Sequence, residues 1–254
     1  MKRISDLLWC ELEKLIPERK GPIGRPEFDN KKTFEGILFI LKTGSQWNEL
    51  PKKYGCYTTV HGKYMKWVRA GVFRKMMVKA REYYRKRNHK NIWYALDTIS
   101  RKAPFAKFGG KNPTDRAKMG IKHISLVDRK GAPLFIGIAP ANTHDSKLLD
   151  LLIGQLRKSK RIRIMATDSA WDSKRSRFLC KKKNIALIAS TNRRRNKKKH
   201  KFNAPYRWIV EQTFGILSWF RGLKICWAKT EESAFAFLQI ACAIRLFKMT
   251  GIFG

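Results

Sequence analysis

The chain has 254 residues, 43% hydrophobic and 12% aromatic. That is enough apolar material for one large folded domain or two modest ones, and it excludes a disordered chain. Lys and Arg number 56 against 19 acids, a net charge of +37. Such an excess resists compaction unless a polyanion offsets it, and nucleic acid is the commonest polyanion. A ribosomal-type protein or a merely solvated basic surface are the alternatives. The five cysteines (Cys10, Cys56, Cys180, Cys226, Cys242) are scattered and never form CxxC. This argues against a zinc site and a disulfide framework and points to a reducing cytosol. Asp6, Glu11 and Glu13 interrupt any secretory apolar region. The longest apolar stretch, near 234–246, contains Gln239 and Arg245 and is too short to span a bilayer.

In chain order, residues 5–17 predict a helix burying Leu7, Leu8, Leu12 and Leu15, with Ser5 as N-cap. The segment Lys20 to Pro26 reads as a turn-rich linker. Phe34, Ile37, Leu38 and Leu41, at i, i+3, i+4 and i+7, predict a stronger helix that Gly44 ends. A short packed turn follows with Trp47 and Leu50 as core residues, and then a helix capped by Thr58 or Thr59 that buries Val60, Tyr64, Trp67 and Val68. Lys63, Lys66 and Arg69 lie three apart on another face of that helix. Helix, turn and basic helix is the pattern of a helix-turn-helix whose second helix enters the major groove. A very basic helix over 71–87 leads to the next domain.

From residue 91 the periodicity changes. Residues 92–96 read as a strand ending at Asp97, and residues 101–119 as a loop. Residues 121–127 and 134–139 flank the turn Asp128-Arg-Lys-Gly131 and predict a hairpin. Asp145 is a cap for a helix bearing Leu148, Leu149, Leu152 and Leu156. Residues 162–167 form a strand ending at Asp168, Asp172 caps a helix to about Lys183, and 185–189 form a last strand. A basic loop with Arg193, Arg194, Arg195, Lys197, Lys198 and Lys199 precedes a long helix that starts near Pro205, and an apolar helix covers 232–248. This order predicts an α/β, ribonuclease H-like mixed sheet over 89–254, preceded by a small all-α, helix-turn-helix-like domain over 1–88.

Asp97 and Asp168 each follow an apolar strand, where α/β sheets present ligands, although Asp is also a common turn residue. Glu211 says more. Between residues 173 and 230 it is the one acid among 17 Lys and Arg, and its helix is otherwise mostly apolar (Trp208, Ile209, Val210, Phe214). A carboxylate in such a setting needs a partner. Arg207, one turn earlier, supplies one reading; a metal ion shared with Asp97 and Asp168 supplies the other. Phosphodiester chemistry needs an activated water or 3′-hydroxyl and a stabilised leaving oxygen. Two Mg²⁺ or Mn²⁺ ions roughly 3.5–4 Å apart do both, and such hard cations take Asp and Glu oxygens. His144 with Asp145 invites a general-base reading, but a metal mechanism requires no His base, so capping and scaffolding are preferred.

Several motifs run through the chain: Gly24-Arg-Pro26, Thr43-Gly-Ser-Gln-Trp47-Asn-Glu-Leu-Pro51, Trp67-Val-Arg-Ala-Gly71, Leu96-Asp97-Thr, Asp115 to His123, Ala141-Asn-Thr-His144-Asp145-Ser, Thr167-Asp168-Ser-Ala-Trp-Asp172, and Arg207-Trp-Ile-Val-Glu211-Gln-Thr-Phe-Gly215. With these, the chain resembles the DDE transposases of bacterial insertion sequences, of the compact type with an N-terminal DNA-binding region. The resemblance covers nearly the whole length. It implies that Asp97, Asp168 and Glu211 form a catalytic, metal-binding triad for Mg²⁺ or Mn²⁺, with spacings of 71 and 43 residues. It also implies double-stranded DNA as partner, both element ends and target, a homodimer or larger synaptic complex, and a cytoplasmic, nucleoid-associated protein. Arg193 to Arg195, Lys197 to Lys199, Arg207, Lys63, Lys66 and Arg69 are the candidate DNA contacts. Related chains often carry Tyr seven residues before the glutamate and Lys seven after it. Here those positions are Ala204 and Ser218, with Tyr206 or Arg221 as possible substitutes. A stand-alone nuclease of the same fold and a decayed, non-catalytic binder of the element ends are the rival functions.

Overall fold

The computed structural model describes residues 6–18, 27–88, 92–156, 158, 160–190 and 204–251, and the chain divides into two compact units. One unit is an α/β sheet formed within 88–104 and 108–216; the other is helical and combines the N-terminal residues, 105–107 and residues from 217 onward.

In the α/β unit, β1 (Trp93–Lys102), β3 (Met119–Asp128) and β4 (Pro133–Pro140) form an antiparallel meander, and β2 (Gly110–Lys111) pairs with the start of β3. The hairpin turn between β3 and β4 uses Gly131 at φ 76°, and the Asp128 carboxylate accepts from the backbone N–H groups of Lys130 and Ala132. β5 (Arg163–Thr167) pairs parallel with β1, and β6 (Ile185–Ala189) pairs parallel with β5. The order β4-β3-β1-β5-β6, three antiparallel strands followed by two parallel ones, is that of a ribonuclease H-like sheet. The crossovers are α5 (Asp145–Gln155) and α6 (Lys174–Lys182), and α7 (Trp208–Leu217) follows β6.

Alternation along β1 sets the two faces of the sheet. Ala95 and Ile99 pack with Val127 against Ile209, Val210 and Phe214 of α7. On the other face, Leu96 is fully buried and the Thr98 hydroxyl donates to Asp145 at the start of α5. The Thr213 hydroxyl donates to Gly131 O, tying α7 to the β3–β4 turn.

Some local expectations change. β1 runs on to Lys102 because β3 pairs with it as far as Gly120, so Asp97 lies inside a strand and not at its end. α5 is capped by the His144 ring, while Asp145 turns to Lys122. α6 is capped by Ser173, while Asp172 forms a two-point ion pair with Arg177 at 2.7 and 2.8 Å.

The helical unit contains α1 (Asp6–Glu13), α2 (Asn30–Thr43), α3 (Tyr57–Arg69), α4 (Val72–Arg87) and α8 (Glu231–Thr250). Asp29 caps α2, and Gly44 closes it in the left-handed conformation at φ 71°. Residues 44–56 carry two short 3-10 turns, whereas α3 and α4 are joined by Ala70-Gly71 alone, so the tight turn of the helical region follows α3 and does not precede it. Thr58 and Thr59 lie within the first turn of α3, and Cys56 occupies its cap position.

α8 is part of this helical core, not of the sheet expected over 89–254. It packs along α4, with Phe247 against Tyr83, and the Arg87 guanidinium donates to Thr250 O. The buried Tyr64 hydroxyl donates to Ser233 O at 2.6 Å, and Trp47 stacks on Phe237. The helix is apolar nearly all round, so it seeks a core rather than a single face. By length and composition it could cross a membrane, yet 67% of its apolar window is buried here.

Candidate active site

The sheet register brings two of the expected acids together. Ala95 pairs with Ala166 across the parallel β1–β5 ladder. Two residues on, Asp97 and Asp168 therefore leave neighbouring strands on one face, the face that α7 covers. Asp168 ends β5 and caps the short 3-10 turn Ser169–Trp171, its carboxylate accepting from Ala170 N at 2.9 Å. Trp171, fully buried, anchors that turn. Glu211 stands on α7, with its side chain half exposed.

Arg207 joins two of the three acids. One guanidinium nitrogen lies 3.1 Å from Asp97 Oδ2, and the other lies 2.6 Å from Glu211 Oε1. The Asp97 Oδ1 atom accepts from Thr98 N at 2.8 Å. Tyr206, immediately before Arg207, adopts φ +60°, a costly conformation for a bulky residue. It is held there by Trp93, edge to face at 5.1 Å, and by the Arg129 guanidinium 4.6 Å over its ring. The strained residue sets the direction in which the chain enters α7. Ala204, two residues before Tyr206, is buried.

Burial pushes the Asp97 carboxyl up to about 6 from an ordinary 3.8; repulsion from Asp168 and Glu211 adds to this, while the Thr98 N–H and Arg207 oppose it. The folded state thus binds this proton more tightly than the unfolded chain. The group's contribution is favourable below about pH 4 and is withdrawn as pH rises towards about 6, a change on the order of 3 kcal/mol. Urea denaturation of the metal-free protein at pH 4, 5, 6 and 7 should show this loss, and Asp97→Asn should flatten it. A profile from Asp97→Asn as steep as the parent's would refute the assignment.

Among the described residues, no three His, Cys, Asp or Glu side chains already form a metal-holding group. The donor chemistry nevertheless fits a hard divalent cation. Asp97 and Glu211 already share one positive group in Arg207, and Asp97 feels repulsion from both Asp168 and Glu211. Ser125, across from Asp97 in the β1–β3 register, carries a buried hydroxyl with no hydrogen-bond partner. A cation would take Asp97 and Glu211 only as Arg207 withdraws. Sequence reasoning anticipated Arg207 beside Glu211 from its i,i+4 spacing, but not its bond to Asp97. Ser125 carried no signal at all, since its relation to Asp97 exists only through strand pairing.

The other candidates divide. Lys66 and Arg69 are exposed on α3. Lys63 is not available to DNA: its side chain is buried, its ammonium is held by Phe28 O, Asn30 and Glu27, and the Trp67 ring lies beside it. Arg193, Arg194, Arg195, Lys197, Lys198 and Lys199 lie outside the described residues. Asp145 belongs to the opposite sheet face, bonded to Lys122 at 2.8 Å and to Thr98, which gives the His144-Asp145 pair a structural role.

A ribonuclease H-like sheet carrying paired strand acids beneath a glutamate-bearing helix defines a class of polynucleotide-processing domain. The chain belongs to the transposase DDE domain family, whose model matches residues 94–246. Residues 4–77 match a second model, "Putative transposase of IS4/5 family". The family resemblance read from the motifs is thereby confirmed. A "Putative transposase for insertion sequence element IS402" from Burkholderia cepacia is 33% identical over 143 residues, 53% of this chain and 66% of that one. An uncharacterized protein of Sinorhizobium fredii is 31% identical over 81 residues, 31% of this chain and 64% of that one. The chain spans between 54% and 66% of the length of the curated relatives it matches. Among solved structures, a piggyBac transposase synaptic complex with hairpin DNA aligns at a TM-score of 0.46 and 12% identity, covering 98% of this chain and 71% of that one. The catalytic domain of Mos1 mariner transposase aligns at 0.29 and 11%, covering 70% and 94%. These are distant likenesses, and membership stands on the sequence matches.

Proposed function

We propose that the chain is a DNA transposase in which Asp97, Asp168 and Glu211 hold Mg²⁺ or Mn²⁺, two ions in the working site. The observation that supports this most is the shared sheet face of Asp97 and Asp168, closed by a helix whose Glu211 is tied to Asp97 through Arg207. The ions, when bound, would activate the attacking oxygen and stabilise the leaving one. The protein's own work is orientation. β1 and β5 fix two carboxylates at strand spacing, the α7 contact with Ala95 and Val127 fixes the third, and the Tyr206 clamp aims Arg207. Once released from the carboxylates, the Arg207 guanidinium is well placed to meet a phosphate, which its planar donors suit. Lys66 and Arg69 on α3 supply exposed charge for duplex DNA. Because two element ends must meet, the working form is a homodimer or a larger synaptic complex.

The deciding experiment supplies the protein with a plasmid bearing a pair of inverted ends and a second plasmid as target, in Mg²⁺. Cleavage at the ends with joined products is expected, and Glu211→Gln should lose both. Cleavage without joining would make the chain a nuclease, and end binding without cleavage would make it a non-catalytic binder.

A further inference from the structure

The motif Thr43-Gly-Ser-Gln-Trp47-Asn-Glu-Leu-Pro51 plays no part in the carboxylate chemistry, yet it helps to build a cleft of the helical unit. The cleft measures about 420 Å³ and lies between the residues after α2, the start of α8, and Phe105. Its floor is Trp47, half buried and stacked on Phe237 at 6.2 Å and 17°. Its open side is formed by Trp227 and Phe105, 37% and 56% exposed, with ring centroids 5.7 Å apart. Ser45, Gln46, Asn48 and Lys229 also line the cleft. Gly222 lets the backbone close against α2, since a Cβ there would lie 3.0 Å from Leu41 O.

Aromatic rings, neutral hydrogen-bonding side chains and a cation in one lining suit a flat, polar-edged heterocycle attached to a phosphate chain. We propose that this cleft holds one unpaired nucleobase of DNA, stacked on Trp227 and Phe105, its edge read by Gln46 and Asn48 and its phosphate met by Lys229. This rests on the DNA-binding part of the proposed function, which the net charge of +37 also favours. Stacking needs only a π-face, so the cleft tolerates any base, while the polar edge can favour some over others.

The test compares a short duplex carrying one unpaired thymine with its fully paired counterpart, binding being measured by fluorescence anisotropy in EDTA so that no cleavage intervenes. Wild-type protein should prefer the bulged duplex by roughly tenfold, the size of one base–aromatic stack. Trp227→Ala and Phe105→Ala should each remove that preference while leaving the affinity for the paired duplex unchanged. Both residues are partly exposed, and retained duplex binding certifies their folds. Equal binding of the two duplexes by wild type, or a preference that survives both substitutions, overturns the proposal. A concentration-dependent dimer abolished by Trp227→Ala, without any duplex preference, would assign the cleft to a second copy of the chain and overturn it too. If wild type binds neither duplex, the DNA-binding reading itself fails together with the cleft.

Discussion

Asp97→Asn is expected to lower strand cleavage by roughly 10³ while raising the stability of the metal-free fold at neutral pH. The loss follows if Asp97 is a metal ligand, since a metal centre supplies several kcal/mol to this chemistry and each 1.36 kcal/mol is tenfold in rate. The gain follows from burial. The Asp97 carboxyl is pushed up to about 6, so its ionised form at pH 7 carries a penalty on the order of 3 kcal/mol. That penalty is already net of the opposing attraction of the Arg207 guanidinium. Arg207 would also keep Glu211 as a partner. Asparagine retains the acceptor for Thr98 N, so local geometry survives. Gel assays of end cleavage, beside urea denaturation at pH 7, measure both effects. Cleavage within tenfold of wild type would remove Asp97 from the site, and a destabilised variant would remove the strain argument.

A chain ending at residue 216 should lose the helical unit outright. α8 buries Phe237, Leu238, Ile240, Leu246 and Phe247, each contributing about 1.5–3 kcal/mol by burial. Together they match the roughly 5–15 kcal/mol by which a whole domain is stable. Removing α8 also strips Tyr64 of the carbonyl its buried hydroxyl bonds to, and leaves the inner face of α4 in water. Hydrogen exchange over residues 30–87 is the direct measure. Amides that stay protected there in the shortened chain would show that α2–α4 fold without α8. The expected division at residue 88, with everything after it in the sheet domain, would then describe folding better than packing does.

The strands, the hairpin and most helices were legible because they are written locally, in alternation, turn residues and 3.6-residue periodicity. What escaped was decided by partners distant in sequence. At two helix starts, adjacent polar residues competed for the cap, and the expected one was drawn away: Asp145 to Lys122, and Asp172 to Arg177, leaving His144 and Ser173 to cap. Lys63 fits the basic stripe of α3 by spacing but is buried against Glu27, Phe28 and Asn30. The acids of the candidate site were readable singly. Their common face was not, because it depends on the register of β1 against β5, which no local pattern encodes. α8 was read correctly as an apolar helix, but an all-round apolar helix does not announce which core it joins.

That last feature bears on how the protein is made. Synthesis proceeds from the N-terminus at a pace that lets units fold as they emerge from the ribosome. The sheet unit is complete in sequence by residue 216, whereas the helical unit begun at α1 waits for α8. Its first helices must remain unpaired throughout the synthesis of the sheet and can close only when residue 250 has cleared the exit tunnel. An interrupted translation product would therefore carry a formed sheet but no formed helical unit.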